Sequence, residues 1–210
     1  MSQSATVVHD AATETTGVTI TDRMMGWILT IGGLVGGAAA FVLTVEKIAL
    51  VADPAYVPSC SINPILSCGS IMATDQAKVS GFPNPLIGLV TFPIVVTSGV
   101  ALLAGIRLPR WWWLGLQAGT LFGVSFVTWL FYQSVYRIGA LCPYCMAVWA
   151  AMIVVFCYTT LRNLDHGVVR LPRRLTDAAL KVHSVLPTVW LLALAALIGV
   201  HFWSYWRTLL

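Results

Sequence analysis

The chain has 210 residues, 58% of them hydrophobic and only 10% charged, with a formal net charge of +4, and its mean hydropathy is +0.84. A composition this apolar excludes a water-soluble globular domain. The basic residues sit in short connections between apolar runs, as membrane topology requires, and not in a nucleic-acid-binding surface. The fold class is an all-α integral membrane protein with five transmembrane helices.

Residues 1–22 are rich in Ser, Thr and Ala and have no basic segment ahead of a hydrophobic core, so they read as a disordered cytoplasmic tail and not a cleaved signal. The first span covers about 24–45. It carries Gly32, Gly33, Gly36 and Gly37, small residues that let another helix pack closely. Residues 46–85 form a polar connection much longer than a simple helix–helix turn. It holds Cys60 and Cys68, and its stretch Ile71-Met72-Ala73-Thr74 is placed to form a short interfacial helix, a lid over the mouth of the bundle.

The second span, about 86–106, has Pro93 inside it as a kink. Arg107-Leu108-Pro109-Arg110 turns the chain into a third span, about 111–136, opened by the interfacial anchor Trp111-Trp112-Trp113. The fourth begins at Cys142-Pro143-Tyr144-Cys145 and runs to about 161, a basic cytoplasmic loop covers 163–184, and the fifth span lies within 185–210. An inside N-terminus puts Arg23, Arg107, Arg110, Arg162, Arg170, Arg173, Arg174 and Lys181 inside. It leaves Lys47, Lys78, Arg137 and Arg207 outside, the bias that the positive-inside rule requires. The same orientation gathers Cys60, Cys68, Cys142 and Cys145 on the outer face.

Pro143 suits the first position of a helix, which makes Cys142 the N-cap and sets Cys145 one turn in on the same face. Free N–H groups and the positive end of the helix dipole there favour thiolate, the form that attacks disulfides. A structural zinc would need four ligands, and His9, His166, His183 and His201 all lie far from these cysteines in sequence, so no metal is expected. Four thiols permit three complete pairings, which spacing does not decide.

A loop pair above a helix-end pair forms a relay: an external dithiol reduces the loop disulfide, the loop reduces the CPYC disulfide, and the CPYC pair passes two electrons to an acceptor in the membrane. A lipid-soluble two-electron acceptor points to a quinone. Cys145, deeper, faces that acceptor and Cys142 meets the loop. Cys157, twelve residues beyond Cys145, reads as a small buried hydrophobe. Asn84 at the mouth of the second span is either a donor to a quinone oxygen or the N-cap of its helix, and Trp149, one turn below Cys145, either lines the quinone slot or simply packs. Two other readings compete. A carrier of reducing equivalents needs thiols reachable from both faces, and a structural subunit would hold two inert disulfides.

Over residues 24–162 the combination of Cys60-x7-Cys68, Thr74, Asn84 within Phe82-Pro83-Asn84-Pro85, and Cys142-Pro143-Tyr144-Cys145 resembles the vitamin K epoxide reductase family. The resemblance implies a four-helix catalytic bundle, 23–162, around a quinone of the menaquinone or ubiquinone type, capped by the loop 46–85. By the same resemblance Cys145 reacts with the quinone, Cys142 is its partner, and Cys60 and Cys68 form the shuttle pair, with Cys60 meeting the external substrate and Cys68 attacking Cys142. Asn84 matches the family's quinone-carbonyl donor, with Thr74 and Trp149 as further site candidates. Trp149 stands where animal members carry a tyrosine.

No thioredoxin-like domain is expected after the fifth span, which is similar to actinobacterial members that use a separate thioredoxin-fold partner. The resulting expectation is a bacterial inner-membrane enzyme that makes disulfides, reduces quinone to quinol and re-oxidises an exported thioredoxin-fold protein. Reduction of vitamin K epoxide or transfer of reducing equivalents across the bilayer are the alternatives.

Overall fold

A computed structural model describes residues 20–79 and 81–207. The tail read over 1–22 therefore lies outside the described residues up to 19. Where the description begins, Ile20 is buried and the Thr21 hydroxyl accepts a hydrogen bond from Met24 N at 3.3 Å, capping the first helix.

Among the described residues the elements are helical, and four helices are long and apolar enough to cross a membrane. They are α1 (Asp22–Ala52), α3 (Pro85–Leu103), α4 (Arg110–Tyr132), which a π-helical turn continues through Gln133–Ile138, and α5 (Pro143–Asp165). A fifth crossing is supplied by α6 (Arg173–Lys181) and α7 (Val185–His201) if this pair, bent by 62°, is one span. A short α8 (Trp203–Trp206) follows. The protein is thus an all-α, multi-pass membrane protein.

The first helix is longer than its hydropathy predicts. Glu46 and Lys47 do not end it, because the apolar run Ile48-Ala49-Leu50-Val51-Ala52 follows and carries the helix outward before Asp53 closes it through its N–H to Ala49 O, 2.9 Å. The second helix ends earlier than expected, since Gly105 takes a positive φ of 80° after the last turn. Within the basic segment, α6 is an additional helix with Leu180 buried and its cations outward.

In the bundle α1 packs against α3 on one side and α5 on the other, and α4 packs against the far flank of α5. The glycines of α1 serve this packing: a Cβ on Gly33 would stand 2.7 Å from Val96 of α3, and one on Gly32 would stand 2.7 Å from Val155 of α5. The ring does not close in the same way between α3 and α4, which have no extensive contact. Trp112 Nε1 donates to Ser98 Oγ across that gap at 3.0 Å, at the end away from the cysteines. At that same end Arg162 stacks 3.6 Å over the Trp113 ring and reaches Asp22 at 3.2 Å.

A candidate thiol–disulfide exchange site at the mouth of the bundle

The connection between α1 and α3 folds as a cap. Its helix, α2 (Cys68–Met72), begins three residues before the expected Ile71, because Ser67 is its N-cap and accepts from Ser70 N at 3.3 Å. The Asn63 side chain turns the chain ahead of it by accepting from Ile65 N and Leu66 N at 3.0 and 2.7 Å. Leu66 then forms a parallel bridge with Leu141: Leu141 N donates to Ile65 O at 2.7 Å and Ser67 N to Leu141 O at 2.9 Å. Ser67 and Leu141 are the residues immediately before Cys68 and Cys142. One backbone bridge thus sets these two cysteines side by side, although 74 positions separate them.

Cys60 and Cys68 are joined in a disulfide, while Cys142, Cys145 and Cys157 are free. Cys68 Sγ lies 2.9 Å from Cys142 Sγ. Cys142 caps α5, as its place before Pro143 requires, and its sulfur accepts from Cys145 N at 3.4 Å. The Cys142 thiol is held below its ordinary pKa first by the side-chain hydrogen bond with Cys145, and also by the backbone N–H groups of Cys145 and Tyr144, while burial opposes ionisation. Cys60, Cys68 and Cys142 have their sulfurs within 4.8 Å of one another. With Cys60 and Cys68 bonded to each other, Cys142 alone of the three has a thiolate to offer, so this trio is arranged for exchange and not as a ligand set.

Beneath the sulfurs lies a cavity of about 500 Å³, lined by Cys68, Cys142 and Cys145 at its mouth and by apolar side chains of α3, α4 and α5 below. Exposed residues of both α3 and α4, among them Thr91, Ile94, Gly119 and Phe122, line it, so it opens sideways through the gap between these helices.

The remaining sequence candidates fall in different places. Trp149 lines the cavity, buried and edge-on to Phe131 at 5.3 Å. Asn84 also lines it, but its side chain does not cap α3: its Oδ1 accepts from Val79 N at 3.1 Å and its Nδ2 donates to Gln76 O at 2.7 Å, tying the cap to the helix. The amide keeps one hydrogen for a ligand. Thr74 is not among the lining residues, and its hydroxyl donates to Ile71 O at 2.7 Å. Cys157 is buried in α5 away from the other sulfurs.

Sequence reasoning missed the contribution of α1. Glu46 and Lys47, read as loop, extend from its last turns, beside the cysteines, to hold the cap. The signal that could have found them is the apolar run that follows the pair.

No curated protein matches the chain. The model of the vitamin K epoxide reductase family matches residues 27–160, from the first turns of α1 to the last turns of α5, which takes in the cap, both cysteine pairs and the cavity. The chain belongs to the vitamin K epoxide reductase family and is a membrane thiol–disulfide oxidoreductase.

Proposed function

We propose that this enzyme is a quinone-dependent thiol oxidase of a bacterial inner membrane, with its N-terminus cytoplasmic and its cysteines outside, which re-oxidises a separate thioredoxin-fold protein. The observation that carries the reading is the 2.9 Å approach of Cys68 Sγ to Cys142 Sγ directly over an apolar cavity that opens between two membrane helices. Thiol–disulfide exchange proceeds through a mixed disulfide between adjacent sulfurs, and Cys68–Cys142 is the pair so placed.

In the proposed cycle a partner thiolate attacks Cys60 and opens the loop disulfide, and the partner's second thiol releases its own disulfide, leaving Cys60 and Cys68 reduced. Cys68 then attacks Cys142, and Cys145 leaves as thiolate. Cys60 attacks Cys68, which restores the loop disulfide and leaves Cys142 reduced as well. The arrangement with Cys60–Cys68 bonded and Cys142 and Cys145 free corresponds to this point.

The cavity fits a quinone. Its volume suits a ring with part of an isoprenoid tail, its walls are apolar, its side opening leads toward lipid, and Asn84 offers an amide hydrogen for a ring oxygen. A bound quinone would accept two electrons and two protons. Cys145 lines the cavity, so its thiol faces the acceptor, while Trp149 walls the slot and keeps water from it.

The test is quinone reduction by the purified protein in lipid, with a reduced thioredoxin-fold protein as donor. Wild type is expected to turn over, and Cys145→Ala to lose roughly 10²-fold or more of the rate, as removal of a reacting group does. Full activity in Cys145→Ala would end the assignment.

A further inference from the structure

Glu46 is buried at 6% exposure near the outer end of a membrane helix, where a carboxylate is costly unless it is fully used. All its hydrogen bonds go to the segment that enters Cys60. Tyr56 OH donates to Oε2 at 2.9 Å, Ser59 N to both oxygens at 3.3 Å, and Ser59 Oγ to Oε1 at 2.5 Å. Ser59 is the residue immediately before Cys60. The next residue of α1, Lys47, donates from Nζ to Met72 O at 2.8 Å, at the end of the helix that begins with Cys68. Two side chains adjacent in sequence therefore grip the two halves of the loop disulfide, which are also joined to each other by Ile62 N to Leu66 O at 2.8 Å and Gly69 N to Ser61 Oγ at 3.3 Å. The Cys68 half is also tied to Leu141 through the backbone bridge.

We propose that Glu46 is a positioning residue for Cys60: by holding Tyr56 and Ser59 it keeps the Cys60 thiol beside Cys68 and so biases the internal exchange toward the closed loop disulfide. The exchange is an attack of the Cys142 thiolate on Cys68 Sγ. The Cys68–Cys142 bond forms, the Cys60–Cys68 bond breaks, and Cys60 leaves as a thiolate that takes up a proton. The number of disulfides does not change, and no outside oxidant is needed. In the reverse step Cys60 must return to Cys68, and its effective concentration there is set by how tightly its flanks are held: Ile62 by Leu66 on one side, Tyr56 and Ser59 by Glu46 on the other. Without the Glu46 clasp the closed form loses this advantage and the Cys68–Cys142 form gains.

The inference rests on the Cys68–Cys142 transfer proposed above, and the experiment separates the two. In Cys145→Ala, held in lipid without quinone or partner, the nearest sulfur to Cys142 is that of Cys68 at 2.9 Å, so an equilibrium between Cys60–Cys68 and Cys68–Cys142 is trapped by acid quench and alkylation and read by peptide mass mapping, which also counts any Cys60–Cys142 form separately. Adding Glu46→Gln is expected to shift that ratio toward Cys68–Cys142 by about tenfold, at the low end for loss of hydrogen bonds to a charged group. Ser59→Ala is expected to shift it in the same direction, and the double variant by no more than the larger single shift, since both remove one interaction.

An unchanged ratio in Glu46→Gln and Ser59→Ala would overturn the inference, even if the thermal midpoint fell, because that is the signature of a purely structural carboxylate. If Glu46→Gln does not fold, Ser59→Ala decides alone. Absence of any Cys68–Cys142 disulfide in the Cys145→Ala parent would overturn the transfer itself, and this inference with it. A mixed disulfide that is present but insensitive to both clasp variants sinks only the role of Glu46.

Discussion

Gly119 offers a direct probe of what occupies the cavity. It lies on the α4 wall, and a Cβ built on it meets nothing within 4 Å, so a larger side chain enters empty space without disturbing the bundle. Gly119→Leu adds four carbons to a cavity of about 500 Å³ and displaces a comparable piece of any apolar ligand lying there. At about 0.8 kcal/mol per buried carbon the loss is about 3.2 kcal/mol, or roughly two-hundredfold in apparent affinity. Gly119→Ala forfeits one such group and should cost about fourfold. The assay is quinone-dependent turnover in lipid across a range of quinone concentrations, with the Cys68–Cys142 exchange followed separately by mass mapping. The expected pattern is a KM for quinone that rises in steps with side-chain size while thiol exchange is unchanged. A Gly119→Leu enzyme with wild-type KM would refute the placement of the acceptor between α3 and α4.

Other consequences follow from the same geometry. Because the Cys145 side chain is the first cause of the lowered Cys142 pKa, the thiolate of reduced Cys142 persists below the pH at which an ordinary thiol protonates. The pH midpoint for its alkylation by iodoacetamide should therefore rise in Cys145→Ala, and a midpoint that stays put or falls would contradict this cause. Asp22→Asn removes the carboxylate that Arg162 reaches at 3.2 Å. With Asp22 half-exposed and screened, the expected loss is about 1 kcal/mol, read as a lower thermal midpoint in nanodiscs, and no change would show that stacking on Trp113 alone holds the guanidinium. Hydrogen exchange should be faster at the Ser59 amide, bonded only to a side chain, than at the Ser67 and Leu141 amides of the bridge. Equal protection would mean that the cap opens as one piece.

The spans were legible because each needs about twenty apolar residues, and the CPYC motif was legible because proline at N1 defines a helix start whatever surrounds it. Helix ends were less so. Glu46 and Lys47 carry charges that, on hydropathy alone, stop a span, yet both are consumed by the cap, and only tertiary partners make that visible. The two side-chain hydrogen bonds of Asn84 reach five and eight residues back into the cap and cannot be read from the Pro83-Asn84-Pro85 context, which speaks for a helix cap. The pairing that matters most, Cys68 with Cys142, depends on a bridge between Leu66 and Leu141, two leucines with no local feature to distinguish them.

On the proposed relay, that bridge lets one protein serve both a mobile carrier and a fixed acceptor. Exchange demands that sulfurs meet at bonding distance, whereas docking of an outside protein demands that one sulfur become reachable. Cys60 is buried at 4% exposure and Cys68 at 0%, so reaching the loop disulfide from outside requires some part of the cap to move. The two halves are held differently: Cys68 by backbone hydrogen bonds in register with Cys142, and Cys60 by Tyr56 and Ser59 on Glu46 before it and by Ile62 N to Leu66 O at 2.8 Å after it. Side-chain clasps can open without breaking the register of the bridge. On the proposed relay, opening of the Glu46 clasp frees Tyr56 and Ser59 while the Leu66–Leu141 bridge stays paired, so Cys68 keeps its place over Cys142 as the donor side opens.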